Sequence, residues 1–119
     1  MRKALALALL VMFALPEVAA AHALLLKTSP PRRAVLRDAP KQVELWFNER
    51  LEPAYSTVTL AGQNGSILKT DRASVGGQDA KRLSLPLPAL KPGSYTVRFR
   101  VLSVDGHLAE DSFTFVVRE

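Results

Sequence analysis

From Val43 onward the chain is written in short runs that alternate apolar and polar residues, each closed by proline, glycine or asparagine. A period of two places alternate side chains on opposite faces of an extended strand, whereas a helix needs apolar positions three and four apart. The clearest run is Tyr95-Thr96-Val97-Arg98-Phe99-Arg100-Val101, in which Val97, Phe99 and Val101 share one face. Arg98 and Arg100 fall on the other, which reads as the solvated side of a half-buried strand and not as an anion site. Val43, Leu45 and Phe47 alternate with Glu44 and Trp46 in the same way, as do the residues of Tyr55–Leu60. Further short strands are expected at Ala23–Lys27, Ile67–Lys69, Lys81–Leu87 and Ser112–Val117.

Between them lie turn signals. Thr28-Ser29-Pro30-Pro31 breaks the first run, Arg32–Lys41 is a polar connection, and Asn64-Gly65 suits a type I′ hairpin. Asp71–Ala80, with Gly76-Gly77, is expected to be a loop. About seven strands at spacings of about ten residues point to an all-β fold, an antiparallel β-sandwich of immunoglobulin-like, Greek-key topology. The stretch Leu90–Tyr95 adds a tyrosine-corner signature, in which a Tyr at a strand start bonds its hydroxyl to the preceding loop backbone.

The first residues do not share this rhythm. Arg2 and Lys3 precede an unbroken apolar run from Ala4 to Leu15, followed by Ala19-Ala20-Ala21. Such a run is too short to span a bilayer, and the small residues after it satisfy a signal-peptidase site. Residues 1–21 are therefore expected to be a cleaved export signal, with an uncleaved anchor as the competing reading, and residues 22–119 the domain. Cleavage makes His22 the first residue.

Composition now takes on meaning. The chain has 16 Lys plus Arg against 11 Asp plus Glu, no Cys, two Met and two His. Both methionines, Met1 and Met12, belong to the expected signal, so the domain has no sulfur. Disulfide frameworks, thiolate metal sites and CxxC redox chemistry are closed off. Loss of Arg2, Lys3 and Glu17 lowers the formal charge from +5 to +4, and no basic stripe with interleaved aromatics remains to suit nucleic acid.

The two histidines carry what chemistry there is. His22 at a new terminus would offer an amine and an imidazole to one ion. Asp105-Gly106-His107 places a carboxylate and an imidazole two residues apart, on one side of an extended segment, with Gly106 leaving the space between them empty. Two imidazoles, an amine and a carboxylate form a nitrogen and oxygen set that suits tetragonal Cu(II), while Cu(I) prefers sulfur. Zinc takes the same donors but ranks lower on the affinity order. Taken singly, an N-terminal His is an accident of cleavage and an Asp-Gly-His is a turn.

The domain resembles the CopC family of periplasmic copper-resistance proteins. The matching pieces are the N-terminal His22, the Thr28-Ser29-Pro30 segment, Leu45-Trp46-Phe47-Asn48-Glu49, the run from Lys91 to Val97, and Ser103-Val104-Asp105-Gly106-His107 before Phe113-Thr114-Phe115. The resemblance implies a periplasmic protein that binds one Cu(II) per chain for sequestration or delivery and is not an enzyme. It assigns the metal to His22, Asp105 and His107, and ranks Glu49 below them, since Arg50 and Glu52 make a solvated charge cluster an equal reading. It also implies an inner-membrane CopD-like partner. Some members carry a Met-rich Cu(I) loop, and no Met lies between Leu60 and Leu83, so that second site is not expected. Two readings from other classes stay open: a copper oxidase of the polysaccharide monooxygenase kind, which also uses an N-terminal His, and a metal-free immunoglobulin-like interaction module.

Overall fold

A computed structural model describes residues 24–76 and 79–119. His22 and the expected signal lie outside the described residues. Eight strands form two layers: β1 (Leu25–Ser29), β2 (Val35–Leu36), β3 (Gln42–Phe47), β4 (Thr57–Ala61), β5 (Ser74–Val75), β6 (Arg82–Pro86), β7 (Gly93–Leu102) and β8 (Leu108–Val117). One sheet has the order β1-β3-β6-β5 and the other β2-β8-β7-β4. All neighbours pair antiparallel except β2, which runs parallel to the end of β8 with Val35 opposite Val116. Among the described residues no helix is long and apolar enough to cross a membrane.

The alternation decides which faces meet. Val43, Leu45 and Phe47 of β3 and Leu83 and Leu85 of β6 bury one face of the first sheet. They pack on Val58, Leu60, Val97, Phe99, Val101, Phe113 and Phe115 from the second. Phe47 and Phe99 touch edge to face across the layers, with centroids 5.6 Å apart and planes at 71°. A Phe in such a core contributes about 3–5 kcal/mol relative to Ala. The outward positions are mostly polar, with Trp46 of β3 covered by the Lys27 ammonium at 4.8 Å, and Arg98 and Arg100 are exposed as the pattern requires, Arg100 pairing with Glu110 at 2.9 Å. The tyrosine corner is present. Tyr95 donates its hydroxyl to the Lys91 carbonyl at 2.5 Å, and its ring stacks on Phe115.

Four local expectations are corrected. Strand β1 runs on through Thr28 and Ser29, which pair with Leu45 and Glu44, and the chain breaks only at Pro30. Ile67–Lys69 is not a strand, because its ladder ends after the single bridge from Ala61 to Ile67. The reversal before it has positive φ at Gly65 alone (+82°), not at both Asn64 and Gly65, so it is not type I′. Asn64 instead accepts the Ser66 N–H on its side-chain oxygen at 3.0 Å. Finally, the expected connections Arg32–Lys41 and Asp71–Ala80 each contain a two-residue strand, β2 and β5.

Candidate metal centre

Strands β7 and β8 form a ten-residue hairpin whose last pair is Leu102 opposite Leu108. The loop that joins them is Ser103-Val104-Asp105-Gly106-His107, so both candidate ligands sit at the tip of the longest pairing in the fold. The reversal is tight: Gly106 N–H donates to the Ser103 carbonyl at 2.9 Å, and Ser103 N–H to the His107 carbonyl at 2.9 Å. Gly106 adopts φ of +90°, a region that L side chains avoid, and a Cβ there would meet nothing within 4 Å. Glycine is therefore required by the backbone turn and not by crowding between Asp105 and His107. The two side chains meet through that turn rather than through the extended geometry expected from their spacing.

Asp105 is the hub of the loop. Its Oδ1 lies 3.1 Å from His107 Nδ1 and accepts the His107 backbone N–H at 3.3 Å. The Ser103 hydroxyl, buried beneath the loop at 1% exposure, donates to the same oxygen and accepts the His107 N–H at 3.3 Å. Chiefly through the Ser103 hydrogen bond, which outweighs the opposing effect of burial, and with further help from the hydrogen bonds and charge of His107, the Asp105 carboxyl is held below its ordinary value of 3.8. A carboxylate so placed fixes the imidazole by its Nδ1 edge, in the manner of groups that orient metal-binding histidines.

The strip Asn48–Arg50 runs past this loop. Val104 N–H donates to the Arg50 carbonyl at 2.9 Å, and Leu51 bridges Ser103. At its other end the strip holds the start of the described chain: Leu24 N–H donates to Asn48 Oδ1 at 2.6 Å, and Asn48 N–H donates to the Leu24 carbonyl at 3.0 Å. Leu24 and Leu108 line one shallow depression together. The residue two positions after His22 and the residue after His107 thus share one end of the sandwich.

Among the described residues no three His, Asp or Glu side chains gather in a group that could hold a metal ion. Asp105 and His107 stand as a pair, and Glu49, half-buried in the adjoining strip, does not make a third member of a cluster with them. Ser103 and Asn48 were not candidates from sequence. The Ser-x-Asp spacing would have been the only signal for the first, and Asn48 has none, since its partner lies 24 residues away.

Residues 25–118 match the protein family described as the CopC domain. Protein YobA of Escherichia coli (strain K12) is 39% identical over 99 residues, covering 82% of this chain and 80% of its own length. The crystal structure of CopC from Methylosinus trichosporium OB3b superposes with a TM-score of 0.77 at 36% identity, over 82% of this chain and 94% of that one. PcoC of Escherichia coli, described as a methionine-rich copper resistance protein, gives a TM-score of 0.68 at 28% identity, over 82% and 100%.

Proposed function

The chain belongs to the CopC family, and from that premise we propose that it is an exported, periplasmic Cu(II)-binding protein of copper homeostasis or resistance. In this reading residues 1–21 are removed, His22 supplies its amine and imidazole, and Asp105 and His107 complete the donor set around one ion. The protein holds or delivers copper without transforming a substrate, and a CopD-like membrane protein is the partner the family suggests.

The observation that carries this reading is the arrangement of the Asn48–Arg50 strip, with Leu24 bonded to one end and the Asp-Gly-His loop to the other. His22 lies two residues before Leu24, a reach of at most about 7 Å of extended chain. Oxidation state follows from composition. PcoC is described as methionine-rich, whereas this chain has no methionine after Met12 and no cysteine, leaving only nitrogen and oxygen donors that favour Cu(II).

Adding one residue before His22 tests the chelate, because it moves the amine out of the ring while leaving the fold alone. Isothermal titration with Cu(II) is expected to show one ion per chain for the protein starting at His22 and a much weaker complex for the extended form. Equal affinities would refute the site.

A further inference from the structure

The two hydrogen bonds between Asn48 and Leu24 lie outside any ligand role, yet they sit where the copper reading needs rigidity. Strand β1 is an edge strand, paired on one side only, with a register irregularity between Leu25 and Lys27. Its last ladder pair toward the terminus is Leu25 with Phe47. Beyond that pair the main chain of Leu24 is secured by Asn48, whose backbone N–H donates to the Leu24 carbonyl and whose side-chain oxygen accepts the Leu24 N–H. A side-chain amide thus does the work of a strand where the ladder has ended.

We propose that Asn48 is a positioning residue for the copper site: it docks Leu24 at two points and so restricts the freedom of the terminus whose His22, two residues earlier, is the proposed ligand. This inference rests on the copper reading above. An edge strand released at its end samples many conformations, and a chelating terminus that must be ordered on binding binds more weakly than one already in place. The same strip carries Arg50, whose carbonyl takes the Val104 N–H of the ligand loop, so Asn48 references both halves of the site to one piece of backbone. Asn48 touches no metal in this scheme and acts only through Leu24.

A double-mutant cycle separates positioning from general stability. Copper affinity would be measured by competition with a Cu(II) chelator for the protein starting at His22, for Asn48→Ala, for His22→Ala and for the double variant. Amide exchange at Leu24 would be followed in the metal-free proteins. Loss of one net hydrogen bond predicts an affinity about three- to tenfold lower for Asn48→Ala, faster exchange at Leu24, and no further loss when Asn48→Ala is added to His22→Ala. An equal loss in both backgrounds, or no loss in the first, overturns the inference while leaving the site intact. If His22→Ala itself costs nothing, the copper reading fails and the inference with it. Should Asn48→Ala fold poorly, Asn48→Gln displaces the acceptor by one methylene and gives the same readouts.

Discussion

Replacing Gly106 by alanine isolates what the ligand loop owes to its backbone. Gly106 has φ of +90° and Gly65 has φ of +82°, and at neither position would a Cβ meet any atom within 4 Å. Both substitutions therefore carry the left-handed penalty of an L residue, about 1–2 kcal/mol, without a packing term. A stiffer unfolded chain offsets about 0.4–1 kcal/mol of it, leaving a net loss of about 1 kcal/mol. For a domain of this size that lowers Tm by about 4–8 °C, which circular dichroism resolves easily. The two sites differ in function. Gly65 lies in the turn after β4, whereas Gly106 separates Asp105 from His107, so only Gly106→Ala is expected to weaken Cu(II) binding, by at least about tenfold. Equal copper affinity in the two variants, or an unchanged Tm in both, would refute the argument from backbone conformation. Asn tolerates this region better than Ala, and Gly106→Asn should recover part of the lost stability.

Other consequences follow from the same contacts. Ser103→Ala removes the first cause of the low Asp105 pKa, so a carbon-detected NMR titration should place the wild-type carboxyl inflection below 3.8 and move it upward in the variant. Because the folded value lies below the unfolded one, the bond adds stability at pH above the ordinary carboxylate value, and that contribution disappears as pH falls through the depressed folded value. Ser103→Ala should accordingly lose more Tm at pH 7 than at pH 2, where the hydroxyl's bonds to the His107 backbone are still missed but the carboxylate contribution has faded; an equal loss at both would contradict the assignment. Tyr95→Phe keeps the stack on Phe115 and deletes only the bond to Lys91, predicting a cost of about 1 kcal/mol by urea unfolding and unchanged copper affinity. Copper affinity itself should fall as pH drops from 8 to 5, since amine and imidazole donors bind only when deprotonated; a flat profile would exclude nitrogen ligands.

Strands with one buried face were legible in sequence because a shift of one residue would expose the whole apolar set. Hence β3, β4, β6, β7 and β8 fall where Val43, Val58, Leu83, Val97 and Phe113 alternate with polar neighbours. Strands β2 and β5 were not legible. Two residues carry no period, and Val35–Leu36 is a strand only because Val116 and Val117 lie beside it. Ile67–Lys69 failed for the opposite reason, having strand-like residues whose pairing with β4 goes no further than the Ile67 bridge and the Leu68 N–H bond to the Leu60 carbonyl. At the site, Asp105 and His107 could be named from residue type and spacing, since their contact is local. Asn48 could not, because its bond to Leu24 exists only once β1 has paired with β3.

In the proposed site one Cu(II) is held jointly by the terminal His22 and the loop His107. An electron paramagnetic resonance spectrum of the protein starting at His22, with one equivalent of Cu(II), tests it most directly when compared with His22→Ala and His107→Ala. A single tetragonal, nitrogen-coordinated species whose parameters change in each variant is the predicted result. A spectrum left unchanged by either substitution would contradict it.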